Sequence, residues 1–176
     1  MTKIFIEAEK RDTPEHYFLQ SIINVFFPEK DVDFIYMKGI GNLFNQAIIN
    51  QIKLAQETGE QVIVIVDADT VAKGYGYNKR KEEIEKGMAT NSISFSYFIY
   101  PNNNDNGESI YNIPNLKGKV YAYAAAQTIY DTQQKQRKPL IKKMSGGNWL
   151  FDNKDYWNLN VDVLQPLKDF LKENLK

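Results

Sequence analysis

The chain has 176 residues, 43% hydrophobic and 25% charged, with 22 basic side chains against 22 acidic ones. This is globular composition at the size of a single domain, and it excludes a disordered chain. Cysteine is absent, which excludes disulfides, zinc–thiolate sites and thiol nucleophiles. A net charge of zero gives only weak electrostatic support to a nucleic-acid partner, because phosphate neutralisation usually demands an excess of Lys and Arg. The opening MTKIFIEAEK holds one short apolar run broken by Glu7, unlike a signal peptide. No stretch approaches the roughly 18–20 apolar residues of a membrane span, so a cytoplasmic protein without membrane association is expected.

Residues 3–6 (KIFI) read as a buried strand that ends at Glu7. Asp12-Thr13-Pro14-Glu15 then starts a helix, with Thr13 as N-cap, Pro14 at the first helical position and Glu15 near the positive end of the dipole. Phe18, Leu19, Ile22, Ile23 and Phe26 recur at helical spacing, and Pro28 ends the run. Residues 33–37 (DFIYM) form a second strand, stopped by Lys38-Gly39-Ile40-Gly41. A helix is expected over 42–58, with Leu43, Ala47, Ile48, Ile52 and Ala55 inside and Gly59 at C′. Residues 61–66 (QVIVIV) are too apolar to leave a wet face and predict a central parallel strand, terminated by Asp67-Ala68-Asp69-Thr70.

Residues 77–86 are polar and helix-prone, and the cations Lys79-Arg80-Lys81 read as a solvated helical face, like those at 137–143. Residues 93–100 (ISFSYFIY) are a fourth strand candidate and 101–108 (PNNNDNGE) a loop. Helix is expected over 119–136, a Gly-containing connector over 144–155, and a closing helix over 161–175 with Leu164, Leu167, Phe170 and Leu171 as its apolar stripe. Alternating strands and helices predict a single α/β domain over 1–176, with a mostly parallel, Rossmann-like sheet and helices on both faces. The part from 119 to 176 forms a helical C-terminal extension packed on it.

Ligands of open parallel sheets bind beyond the carboxyl ends of the strands, near the switch in strand order. Two strands end there in carboxylates, one at Glu7 and the other at Asp67 and Asp69. If they are neighbours the acids meet, and the mutual repulsion calls for a cation. An all-oxygen set fits Mg²⁺ or Mn²⁺ better than zinc. A helix-capping role for Asp69 is the competing interpretation of a DxD at a βα turn.

The order of these motifs resembles the Toprim catalytic fold of topoisomerases, DnaG-type primases and overcoming-lysogenization-defect nucleases. It is closer still to a Toprim-like family of small stand-alone bacterial proteins. The shared features are the first-strand Glu7, the turn Lys38-Gly39-Ile40-Gly41-Asn42, the DAD at 67–69, the loop at 101–108, and the segments YWNL (156–159) and PLKDFL (166–171). The resemblance implies that Asp67 and Asp69 hold Mg²⁺ and that Glu7 is the acid/base or metal-adjacent carboxylate in breaking or making a phosphodiester bond. Ala8 stands where such proteins commonly have Gly, and the stretch between Glu108 and Lys119 is shorter than in the family.

Around this set, Glu108 is either a further metal or water ligand or a solvent-exposed loop acid. Lys38, Gly39 and Gly41 are either a plain turn or the phosphate side of the site. His16 is expected on the surface, and Trp149, Phe151, Tyr156 and Trp157 in core or lid packing rather than base stacking. Three functions compete: a Mg²⁺-dependent nuclease or nucleotidyl-transfer enzyme, a non-catalytic Toprim-like module that binds a protein partner or nucleotide, and a haloacid-dehalogenase-like phosphatase. The last is suggested by Asp67-Ala68-Asp69-Thr70-Val71, with Asp67 as nucleophile.

Overall fold

The computed structural model describes residues 1–11, 13–69, 74–100, 159–160 and 162–176. KIFI lies in β1 (Thr2–Ile6) and is followed by α1 (Pro14–Phe26). Thr13 caps α1 as its sequence predicts: its extended backbone lets the hydroxyl accept from the His16 N–H at 3.4 Å. Then come β2 (Val32–Tyr36), a 3-10 turn (Ile40–Asn42), α2 (Gln46–Glu57), β3 (Gln61–Asp67), α3 (Tyr77–Asn91) and β4 (Ser96–Tyr100). A second 3-10 turn (Asp162–Leu164) leads into α4 (Gln165–Asn174). The loop expected at 101–108, the helix at 119–136, the connector at 144–155 and the four aromatic residues from Trp149 to Trp157 lie outside the described residues.

The four strands form one parallel sheet in the order β2-β1-β3-β4. The chain therefore steps from β1 to β2 in one direction and returns across β1 to β3, which makes the β1/β3 junction the switch point. Right-handed crossovers then place α1 on one face and α2 and α3 on the other. The two cores follow this division. Ile4, Ile6, Ile63 and Ile65 pack with Phe18, Leu19 and Ile22 of α1, while Phe5, Val62, Val64 and Val66 pack with Ile48 and Ile52 of α2 and Ile84 of α3. Residues 62–66 are buried without interruption, as expected of a strand covered on both sides.

The C-terminal helix belongs to this same core. Leu167 and Leu171 of α4 are fully buried in the α1-side cluster, and the Phe170 ring lies 5.5 Å from that of Phe98 in β4. Leu171→Ala is expected to cost about 3 kcal/mol through lost transfer energy and an unfilled cavity, measured by urea denaturation. A loss below about 1 kcal/mol would contradict this docking. Among the described residues no helix is long and apolar enough to cross a membrane.

Three local expectations are corrected. The helix expected from residue 42 begins at Gln46, because Asn45 is the residue that caps it, accepting from the Ile48 N–H at 2.9 Å. The Asn42 amide instead donates to the Met37 carbonyl at 2.8 Å and closes the turn after β2. With that start, Ala47 faces solvent and Ile49 takes the inner position. His16 is not a surface residue. It is 4% exposed, with its ring 4.8 Å from Phe34 and its Nδ1 hydrogen-bonded to the Tyr36 hydroxyl at 3.1 Å, so edge-strand aromatics cover the first turn of α1.

Candidate functional site

β1 and β3 are neighbours in register, with Ile6 opposite Ile65, so both deliver their acids to the same edge of the sheet. The Glu7 carboxylate accepts from the Asp67 backbone N–H at 3.3 Å. That contact bridges the two strands at the switch point. Glu7 and Asp67 line a small cleft floored by Ile6, Ile65 and Val66, and a third acid, Glu15, reaches it from the first turn of α1. The cavity volume is about 10 Å³, room for about one water molecule or bare cation. Glu15 was legible in the sequence only as a helix-start acid. Its place in the cleft depends on α1 returning along β1 with its N-terminus at the carboxyl edge.

Asp69 goes elsewhere. In a continuing strand it would lie on the same side as Asp67, but the strand ends at Asp67 and Asp69 takes a left-handed φ of +59°. That conformation costs a non-glycine residue about 1 kcal/mol. Its carboxylate meets Arg80 of α3, with Nη2 donating to Oδ2 at 2.8 Å. The same guanidinium donates from Nε to the Asp67 carbonyl at 3.2 Å and from Nη1 to Glu83 at 2.7 Å, and it sits 4.9 Å from the centre of the Tyr75 ring. One side chain thus holds the Asp69 carboxylate and the Asp67 main-chain carbonyl together. Capping of α3 by Asp69 is not what occurs: the N-cap position is Gly76, with no side-chain bond.

Arg80 also corrects the reading of Lys79-Arg80-Lys81 as a solvated face. It is 4% exposed. Arg80, Ile84 and Met88 stand four residues apart on one side of α3, and the latter two belong to the α3-side core or pack against it. That spacing was the available signal, masked by the charged neighbours.

The turn after β2 stands at the same edge. Lys38 has a left-handed φ of +65° and its N–H donates to the Ala8 carbonyl at 2.9 Å. Gly39 follows with φ of +152°, a region that side chains other than hydrogen rarely enter. Lys38 is exposed, and Gly41 lines a second cleft that also borders Arg80. Ala8 is buried in the α1-side core. Glu108 lies outside the described residues. The structure thus brings Glu7 and Asp67 together, adds Glu15 and Arg80, and holds Asp69 on the α3 side.

Among the described residues, no three His, Asp or Glu side chains are gathered closely enough to hold a metal ion by themselves. The donor set nevertheless fits Mg²⁺ or Mn²⁺, because such ions are commonly held by one or two carboxylates, with waters and substrate phosphates filling the remaining positions. No protein-family model matches the chain, and no curated protein or solved structure is significantly similar to it.

Proposed function

We propose that this chain is a Mg²⁺- or Mn²⁺-dependent, Toprim-like protein that cleaves nucleic-acid phosphodiesters. The observation that carries the reading is the junction of Glu7 with Asp67 across the switch point, bridged at 3.3 Å and opening on a space of single-ion size. Asp67 would hold the cation, and Asp69 would join it on release from Arg80. When bound, the cation supplies positive charge to a phosphoryl oxygen and acidifies a water. Glu7 would accept the proton of the water that attacks phosphorus, the P–O ester bond would break with its leaving oxygen protonated from solvent, and the hydrogen bond from the Asp67 N–H orients the Glu7 carboxylate for its transfer. With no net charge on the chain, affinity for nucleic acid is expected to be modest.

One observation favours the non-catalytic module as a second reading. Arg80 already compensates the charge of Asp69, so part of the acidic edge is balanced without a metal. Cleavage of single- and double-stranded DNA and RNA in Mg²⁺ or Mn²⁺ decides between them. Glu7→Gln is expected to lower kcat by about 10²- to 10⁴-fold while changing Mn²⁺ affinity by less than about tenfold. Absence of cleavage by the wild type on every substrate, with cation binding intact, would select the binding module.

A further inference from the structure

A second cleft opens on the α3 side of the same edge, between the turn after β2 and the first turns of α3. Its lining is Ile40, Gly41, Phe44, Arg80, Glu83 and Ile84, and its volume is about 260 Å³. That is slightly below the roughly 300–1,000 Å³ of pockets that enclose drug-sized ligands, so it suits a single ring system. Three walls are aliphatic or aromatic, and one end carries a guanidinium and a carboxylate.

The aromatic wall packs against α3 and the core on its side of the sheet. The distal edge of the Phe44 ring abuts Gly87 of α3, where a Cβ would collide with its Cζ and Cε carbons. Only glycine permits that approach. The polar end is fixed, because Arg80 is held by Asp69, Glu83 and the Asp67 carbonyl. Glu83 is 41% exposed, so a ligand entering from solvent meets a carboxylate acceptor there. A flat ring whose faces are apolar and whose edge carries N–H donors matches these walls. Arg80 joins the cleft to the acidic edge, since it also touches Asp67 and Asp69.

We infer that this cleft binds a nucleobase and so positions one nucleotide of the substrate beside the Glu7/Asp67 edge. The substrate class rests on the phosphodiester reading above. The base-binding step needs no cation and is separable from it. Gly41 lines the cleft and accepts a larger side chain without a clash, because a Cβ built there meets nothing within 4 Å and its φ is not left-handed.

The test is titration calorimetry in EDTA with the 5′-monophosphates of guanosine, adenosine, cytidine and uridine, and with ribose 5-phosphate as the baseless control. Wild type is expected to bind at least one nucleotide about tenfold more tightly than ribose 5-phosphate, as stacking on one aromatic ring allows. Gly41→Leu should abolish that preference with an unchanged unfolding midpoint, and Glu7→Gln should retain it. Equal binding of nucleotides and ribose 5-phosphate by wild type overturns the inference, as does an undiminished preference in folded Gly41→Leu. Nucleotide preference without phosphodiester cleavage would sink the catalytic reading and leave the base site standing. Cleavage without nucleotide preference would do the reverse.

Discussion

Arg80→Met is expected to destabilise the fold by about 2–3 kcal/mol, although it keeps an apolar stem in place of the arginine methylenes. The loss has three parts: the ion pair with Asp69, the ion pair with Glu83, and the donor to the Asp67 carbonyl. Removing one partner of a fully buried ion pair costs about 3–5 kcal/mol. Here the acids are 35% and 41% exposed and rehydrate, so the smaller figure applies. For a chain of this size that lowers the unfolding midpoint by about 5–10 °C. Asp69→Asn and Arg80→Met should then be strongly non-additive, because both remove the same contact. A midpoint shift under about 1 °C in Arg80→Met would refute the clamp. The same variant frees the Asp69 carboxylate and removes a positive charge beside Asp67. Its Mn²⁺ affinity is therefore expected to rise, the opposite of what general damage to the site would produce.

The frame of this site was legible because it rests on strong local signals. QVIVIV has no wet face and had to be a central strand, and Thr13-Pro14-Glu15 is a helix start with each residue in its preferred position. From these, the meeting of Glu7 and Asp67 follows once the two strands are neighbours. What the sequence concealed depends on contacts between distant residues. Asp67 and Asp69 look equivalent in DAD, yet one left-handed φ separates them onto α1 and α3 sides. Arg80 sits in a helix whose adjacent residues are nearly all polar, so the sequence hints at its burial only through its spacing to Ile84 and Met88, and its partners Asp69 and Glu83 emerge only in the fold. His16 resembles any exposed helix-start residue until Phe34 and Tyr36 cover it. Asn42 and Asn45 are chemically alike, and the choice of cap between them was decided by the Met37 carbonyl that claims Asn42.

The other large effect is expected at Asp67. Asp67→Asn keeps the shape of the side chain and removes its charge, and the amide nitrogen it introduces is a donor facing a cation. Divalent binding should weaken by at least about tenfold, with stability within about 1 kcal/mol of the wild type. Calorimetric titration with Mn²⁺ reads the first and denaturation the second. Glu15→Gln should have a smaller effect in the same direction, since Glu15 lines the cleft from α1 without lying at a strand end.

The metal-affinity and cleavage expectations depend on a cation sitting at the switch point, and one measurement addresses that directly. Crystals of the wild type soaked in Mn²⁺ and recorded at a wavelength with strong manganese anomalous scattering should show a peak in the cleft lined by Glu7, Glu15 and Asp67. The peak should vanish in Asp67→Asn crystals treated identically. A wild-type map with no peak in that cleft, or one whose peak persists in Asp67→Asn, would contradict the assignment of Asp67 as the residue that holds a cation beside Glu7.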